Sequence, residues 1–303
     1  MRAKYVMKNI IWYVTAVFVL ASASLVNAEE RTGWGFFSVP LSVRQAGMAG
    51  VTLGRTDPMS QWTNPALSVR QESVWEAGIS GDSLFGLSTG GSLAAGWKAL
   101  PDWAFGSAVS YFGSEVTEYD AHAHDTFRSI RQRSVVGGLS AAWRWEMIGL
   151  GAALKAGSES IDGATETALA ADLGAVADYE AFSAGLALRN MGTGQGKTDS
   201  VDVNLPLELR AGIAYTLKEY GVTGVVEYVG IKDADGVANI GVEWWPMKVL
   251  GLRGGVADLG TAGGRQLTLG FSAFHRTTGL DYAYALHTLG STNRVALTYA
   301  FGG

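Results

Sequence analysis

From about residue 73 onward, apolar residues alternate with polar or very small ones. In the stretch 294–301, for example, Val295, Leu297 and Tyr299 alternate with Ala296 and Thr298. A period of two residues indicates strands that have two different faces. Fourteen such segments can be counted, at 73–80, 90–99, 103–113, 131–146, 148–158, 167–179, 181–190, 206–217, 221–230, 237–246, 249–257, 265–275, 279–287 and 293–301.

The predicted connections between these segments alternate in length. Those after the first, third, fifth, seventh, ninth and eleventh segments are long and polar, such as 113–130 and 191–205, whereas those after the second, fourth, sixth and eighth are tight. A transmembrane barrel has an even number of strands, short periplasmic turns and longer outer loops. The sequence therefore predicts an all-β, antiparallel up-and-down transmembrane barrel of about 14 strands over residues 73–303.

The tryptophans support this interpretation. Aromatic residues of membrane barrels form girdles at the interfaces between lipid and water, close to the ends of the strands. Six tryptophans lie near predicted tight turns: Trp97, Trp103, Trp143, Trp145, Trp244 and Trp245. The alternative is that they are ordinary core aromatics.

The first 28 residues resemble a secretory signal peptide. Arg2, Lys4 and Lys8 precede the charge-free stretch 10–25, and Val26-Asn27-Ala28 gives a small-residue cleavage site. An uncleaved anchor is the alternative, but the stretch is shorter than the roughly 20 apolar residues needed to span a bilayer. We expect export to the outer membrane of a Gram-negative-type bacterium.

Charge and composition narrow the function classes. Removing the three basic residues of the signal changes the net charge from −5 to −8, and no basic run remains. Such a chain is a poor candidate for nucleic-acid binding. It has no cysteine, which excludes disulfides, thiolate metal sites and a cysteine nucleophile.

Charged residues fall on the strand faces that would point into the barrel, among many Gly, Ala and Ser residues. These charged residues either pair with one another across the lumen or line a water-filled channel, and both interpretations stay open here. The predicted lumen-facing residues are Arg144, Lys155, Asp172, Arg189, Glu208, Arg210, Glu227, Glu243, Arg253, Asp281 and Arg294.

Residues 29–72 do not alternate, and they are too apolar for a disordered tail. A Gly/Ala-rich stretch containing Gly47 and Gly50 is followed by Asp57-Pro58 and then by Asn64-Pro65-Ala66. Residues that precede proline are driven away from helix, and Asp and Asn favour turns and caps. We predict a plug of short helices and turns at the periplasmic mouth, acting either as a fixed brace or as a gate.

This segment resembles a known family. The pattern A-G-M-A-G at 46–50, followed by Asp57 and by Asn-Pro-Ala-Leu at 64–67, is similar to the N-terminal signature of FadL-like outer-membrane proteins, and the stretch 287–301 resembles the closing strand of their PorV/PorQ group. The resemblance implies one of two roles. FadL-type members take up hydrophobic molecules through the barrel, whereas PorV/PorQ members are accessory barrels of type IX secretion.

Three motifs could carry other chemistry. Gly81-Asp82-Ser83-Leu84 resembles a hydrolase nucleophile motif, but without the α/β fold it needs, we interpret it as a turn. The stretch 192–198 resembles a phosphate loop, yet Met191 stands where a glycine is required, so we expect a flexible loop. His122, His124 and Asp125 could bind a metal on one side of a strand, with a solvated loop as the alternative.

We therefore assign no catalytic, cofactor or metal residue. The favoured function is transport of small hydrophobic molecules across the outer membrane. A secretion-accessory barrel is the alternative, and a membrane-embedded hydrolase is a minor one. The expected partners are outer-membrane lipid together with either hydrophobic small molecules or secretion-system components.

Overall fold

Fourteen antiparallel strands close into a single barrel. Each strand pairs with its neighbours in sequence, and the last pairs with the first in the register Trp75 to Phe301. This confirms the predicted up-and-down architecture. The structure, a computed structural model, describes residues 34–120, 126–195, 197–198, 201–202, 204–232, 234–259, 265–288 and 290–302. The predicted signal peptide and the motif of His122, His124 and Asp125 lie outside these residues.

The barrel strands are numbered β1 to β14 in chain order. A pair of two-residue strands, Lys197–Thr198 and Val201–Asp202, lies in the connection between β7 and β8. The bounds are β1 Trp75–Leu84, β2 Ser88–Leu100, β3 Trp103–Asp120, β4 Thr126–Trp145, β5 Ile148–Ile161, β6 Ala164–Tyr179, β7 Phe182–Gln195, β8 Glu208–Leu217, β9 Val222–Ile231, β10 Val237–Met247, β11 Leu250–Leu259, β12 Gln266–His275, β13 Thr278–His287 and β14 Gly290–Phe301.

Several strands are longer than the sequence predicted. The stretch 113–130 was expected to be a long loop, but β3 and β4 extend into it as far as Asp120 and Thr126, as a ladder that pairs Ser114 with Gln132 and Tyr119 with Phe127. After β5, only Asp162 and Gly163 form the turn. The prediction was wrong because backbone hydrogen bonds hold a ladder together even where neither face is apolar.

Two motifs also lie in strands rather than in turns or loops. Gly81-Asp82-Ser83-Leu84, predicted as a turn, forms the end of β1 and pairs with both β2 and β14. Residues 192–195, predicted to belong to a flexible loop, continue β7 and pair with β6. Pairing with the neighbouring strands defines the conformation of both motifs.

The alternation of residues separates the two faces of the barrel wall. Leu139, Leu154 and Leu169 are exposed on the outside, whereas Ala94 and Ala108 are buried inside. An apolar outer band with a small or polar inner face is the arrangement of a membrane barrel. Among the described residues, no helix is long and apolar enough to cross a membrane.

Aromatic rings collect at the end of the barrel that is formed by the turns after β2, β4 and β6, the start of β1 and the end of β14, which we call the tight-turn end. Trp75 stacks on Trp97 with ring centroids 5.2 Å apart, and Trp103 lies 6.3 Å from Trp143. Trp145 and Trp244 are also exposed. Trp245 was wrongly assigned to this girdle, because its ring packs against inward-pointing Phe274, with centroids 5.7 Å apart.

The plug, defined here as residues 34–72, lies inside the barrel. It contains the 3-10 helices η1 (Gly35–Phe37), η2 (Ser60–Trp62) and η3 (Pro65–Arg70) and one four-residue α-helix, α1 (Val43–Ala46). Ser42 caps α1 and Asn64 caps η3, each through a side-chain oxygen that accepts a backbone N–H. Pro65 occupies the first position of η3, where its missing N–H costs nothing.

Candidate functional site

The lumen, with the plug inside it, is the candidate functional site. Most inward charges of the barrel are buried and paired with one another. Arg189 donates to Glu208 at 2.8 Å, and Arg210 bridges Glu208 and Glu227, with 2.9 Å to the second carboxylate. Buried guanidinium and carboxylate groups need such pairing, because water no longer solvates them.

A second network lies between α1 and the strands β10 to β13. Arg253 donates to Glu243 at 2.8 Å and approaches Asp281 at 3.5 Å. Arg44 of the plug donates to the same Asp281 at 2.9 Å. Burial disfavours the charge of Arg44, but the carboxylates of Asp281 and Asp57 outweigh it and raise the pKa of Arg44 above its ordinary value.

Three further contacts involve predicted lumen-facing residues. Lys155 pairs with Asp172, and its Nζ lies 4.1 Å from the ring centroid of Trp62. Arg294 donates to Asp82 at 2.6 Å. Arg144, near the tight-turn end, donates to the backbone carbonyl of a plug residue, Val69, at 2.9 Å. We call the inward charges on β1, β5 to β11, β13 and β14 the charged wall, which leaves out Arg144 at the end of β4.

The charged wall also holds residues 42–57 of the plug. Glu227 accepts the backbone N–H of Thr52 at 2.9 Å and its hydroxyl at 2.5 Å. Arg210 donates to the carbonyl of Gly50 at 2.8 Å. Gly50 has a φ of 75°, which glycine adopts without steric cost, so the turn presents its carbonyl to the wall.

Asp57 acts within the plug rather than on the wall. Its carboxylate accepts the hydroxyl of Ser42 at 2.5 Å and the backbone N–H of Met59 at 2.9 Å. The carboxylate therefore ties the start of α1 to the segment that leads into η2. This contact is internal to the plug, and it explains why a short acidic side chain suits this turn.

The Asn64-Pro65-Ala66 segment lies directly against glycines of the wall. A Cβ atom built on Gly151 would lie 2.4 Å from the backbone nitrogen of Ala66, and one on Gly174 would lie 2.1 Å from Oδ1 of Asn64. The side-chain amide of Asn64 also donates to wall carbonyls on β6 and β7, each at 3.3 Å. Only glycine allows this approach of two backbones.

The middle of the inner faces of β2, β3 and β4 differs from the rest of the wall. It carries small or apolar side chains, and we call it the charge-free panel; its residues are Ser92, Ala94, Ala108, Ser110, Phe112, Ser134 and Val136. An aromatic cluster of the plug, Trp34, Phe36 and Phe37, belongs to the same apolar core as Ala94, Ala108, Phe112 and Val136.

A cavity of about 480 Å³ opens at the tight-turn end, between the plug, β12, the turn after β12, β14 and β1. Arg44, Arg55 and Thr56 line it from the plug, and Phe274 and Thr298 from the wall. The guanidinium of Arg55 lies over Trp245 at 4.7 Å and Phe274 at 5.1 Å. Partial burial and the nearby Arg44 lower the pKa of Arg55.

The sequence analysis did not find several of these residues. Asp82 was assigned to a turn, although its position two residues after inward-pointing Ser80 continues the alternation. The sequence did not single out Arg44 and Arg55, because the plug has no regular alternation that would show which of its side chains face the barrel wall. Within the described part of the chain, no group of three or more His, Asp or Glu residues could hold a metal ion.

The fold and the plugged lumen define a class: fourteen-stranded membrane barrels closed by an N-terminal segment. The toluene transporter TodX of Pseudomonas putida has a similar structure, with a TM-score of 0.64 and 13% identity over 86% of this chain and 98% of that one. The toluene transporter TbuX of Ralstonia pickettii is similar with the same TM-score and coverage and 12% identity.

At this level of identity, the likeness establishes the fold. It agrees with the FadL-like resemblance predicted from the sequence, whereas membership of the PorV/PorQ group stays a prediction. No protein-family model matches the sequence. A search of curated proteins finds no match.

Proposed function

We propose that this protein transports small hydrophobic molecules across the outer membrane. The observation that carries the proposal is the charge-free panel, which is a strip of Ala, Ser, Val and Phe side chains, whereas the inner faces of β5 to β11, β13 and β14 carry ion pairs. The free energy of a hydrophobic solute falls when it moves from water to this strip. Beside the charged wall it would meet hydrated or paired ions, with which it makes no favourable contact. The aromatic cluster of the plug already occupies part of this strip, as an apolar solute would.

The similar solved structures support the same proposal. Both are toluene transporters by description, and each is matched over 98% of its length. The apolar outer band and the tight-turn aromatic girdle support a location in the outer membrane, with the tight turns facing the periplasm. The proposal involves no catalytic step.

A matched pair of substitutions tests the role of the panel. Val136 is fully buried on the charge-free panel, and Val225 is equally buried on β9, beside the charged wall. Val→Thr keeps the shape of the side chain but replaces one methyl group with a hydroxyl, which lowers the affinity for an apolar solute. We expect V136T to reduce uptake of radiolabelled toluene by cells, and V225T to leave it unchanged.

The host for this measurement is a Gram-negative cell whose lipopolysaccharide leaflet slows apolar solutes. Uptake by cells that express the wild-type protein is compared with uptake by cells carrying an empty vector. Equal uptake in the two would refute the transport function for this solute class. The secretion-accessory role stays a prediction, and co-purification of secretion components with the barrel would favour it.

A further inference from the structure

Two of the four arginines that line the cavity at the tight-turn end are not used by the charged wall or by any other ion pair. Arg44 and Arg70 each bind a wall carboxylate through two nitrogens. Arg55 and Arg276 also line the cavity, and neither forms an ion pair with any residue that the structure describes. Both of their side chains are exposed, so their N–H groups stay available to a ligand.

Arg55 is held in place without using its side-chain donors. Its guanidinium lies over the rings of Trp245 and Phe274, and its backbone N–H donates to Glu243 at 3.2 Å. Burial and the nearby Arg44 lower the pKa of Arg55, and a bound anion would offset both effects. A planar guanidinium that is stacked on aromatic rings can bind a phosphate or a carboxylate with two parallel hydrogen bonds.

Two carboxylates line the same cavity. Glu72 is exposed at the end of the plug, and Glu76 lies at the start of β1. In the described part of the chain, neither is in an ion pair. Because Arg276 lies in the turn between β12 and β13, the cavity meets positive groups and negative groups on different sides. A ligand that complements both therefore carries one anionic group and one cationic group.

The mouth of the cavity lies at the depth of the lipid headgroups. Tyr299 and Phe301 are exposed on the outer face of β14, and Phe301 stacks on Trp75 of the aromatic girdle with ring centroids 6.3 Å apart. Tyr299 and Phe301 also line the cavity. Since such girdles lie at the boundary between lipid and water, headgroups of the adjacent leaflet are next to this opening.

We infer that the cavity binds the headgroup of phosphatidylethanolamine, with Arg55 and Arg276 at the phosphate and Glu72 at the ammonium group. The acyl chains remain in the periplasmic leaflet, beside the rings of β14. The cavity volume of about 480 Å³ is in the usual range of ligand pockets. This site goes beyond the proposed function, because it uses the same orientation in the membrane but no transport step. A soluble phosphate ester has the same chemistry, so the experiment separates the two sources.

Native mass spectrometry of the full-length barrel in detergent, with added phosphatidylethanolamine, tests the cationic side. The double variant R55Q/R276Q keeps the backbone contact of residue 55, and both positions are exposed. We expect it to bind the lipid about tenfold more weakly than wild type, because it loses charge-assisted hydrogen bonds to the phosphate. The matched control is K248Q, in the exposed turn after β10 at the same end, which does not line the cavity and should bind as wild type does.

The anionic side is tested with a second lipid. Phosphatidylglycerol has the same phosphate and acyl chains but no ammonium group. We expect wild type to prefer phosphatidylethanolamine, and E72Q to lose this preference while its affinity for phosphatidylglycerol does not fall. The control is E180Q, in the exposed turn after β6, which does not line the cavity and should keep the preference.

Glycerophosphoethanolamine, which is the headgroup without acyl chains, distinguishes the two sources. Weaker binding of this soluble compound than of the lipid supports the lipid site, whereas equal binding would assign the cavity to a soluble phosphate ester and overturn it. Equal lipid binding by wild type and R55Q/R276Q, or an equal loss in K248Q, would also overturn it. Folding of each variant is checked by its mobility on a gel. If the double variant does not fold, R276Q alone, in a turn outside the plug, is expected to bind the lipid several-fold more weakly, and unchanged binding overturns the site. None of these measurements uses toluene uptake, so the headgroup site and the transport function can fail independently.

Discussion

Two parts of the barrel wall hold different stretches of the same plug. Wall glycines allow close contact in both parts, because Gly151 and Gly174 face residues 64–66 and Gly241 and Gly255 lie against Met48. The ion pairs differ: Arg44 of residues 42–57 forms a buried pair with Asp281, whereas Arg70 of residues 58–72 forms a partly exposed pair with Asp178. Loss of a partner costs more for a buried pair than for an exposed one.

The sequence left two roles, brace and gate, open for the whole plug, and the choice between them stays a prediction. The structure shows both stretches packed against the wall and joined to it by polar contacts. We expect the stability of the barrel to depend on both stretches.

The largest effect is expected from breaking the charged wall. E208A removes the carboxylate between Arg189 and Arg210, so each of these two buried cations loses one ion-pair partner. Loss of one partner from a buried pair costs about 3–5 kcal/mol of unfolding free energy. The measurement is the unfolding of the protein by guanidinium chloride in lipid vesicles, monitored by tryptophan fluorescence.

The control for this prediction is an ion pair on the surface. Glu115 and Arg131 are 3.4 Å apart and both are exposed. E115A should leave the unfolding midpoint unchanged, because water and salt screen such a pair. Equal losses in E208A and E115A would mean that the buried network does not stabilise the barrel.

An intermediate effect is expected from adding one methyl group at a wall glycine. G151A places a Cβ 2.4 Å from the backbone of Ala66, so the plug or the strand must shift. Overpacking of this kind costs about 1–3 kcal/mol. Samples are heated to increasing temperatures and run on a gel, where folded and unfolded barrels migrate differently, which gives the folded fraction at each temperature.

The matched control is the same substitution at a glycine with free space. A Cβ built on Gly224 meets no atom within 4 Å. G224A should therefore keep the wild-type mobility transition. If G151A is as stable as G224A, the close approach of plug and wall is not what holds residues 64–66.

The smallest effect is expected from removing a cap in each part of the plug. Ser42 caps α1 by accepting the N–H of Gln45 at 3.2 Å and donates to Asp57 at 2.5 Å, so S42A should cost about 1–2 kcal/mol. Asn64 caps η3 and donates to two wall carbonyls at 3.3 Å, so N64A should cost a similar amount. Hydrogen exchange followed by mass spectrometry locates each effect.

We expect S42A to speed exchange within residues 42–57 only, and N64A to speed it within residues 58–72. This difference would show that the two parts of the plug open separately. If either variant speeds exchange over the whole plug, the plug is one cooperative unit, and the two stretches do not open separately.

The sequence by itself determined the barrel. Alternation with a period of two gave the number of strands and which face of each strand points inward, because strand geometry makes the side chains alternate regardless of context. It also placed Arg189, Glu208 and Asp281 on inward faces, and it marked the Asn64-Pro65-Ala66 turn by local chemistry alone.

Only the tertiary structure decided which of these groups meet. Arg44 and Asp281 are 237 residues apart along the chain, and their contact exists because the plug lies inside the closed barrel. The position of a plug without regular repeats depends on packing and on pairing of buried charge, neither of which leaves a period in the sequence. The extra length of β3 and β4 likewise came from pairing between strands, which a single strand's sequence does not encode.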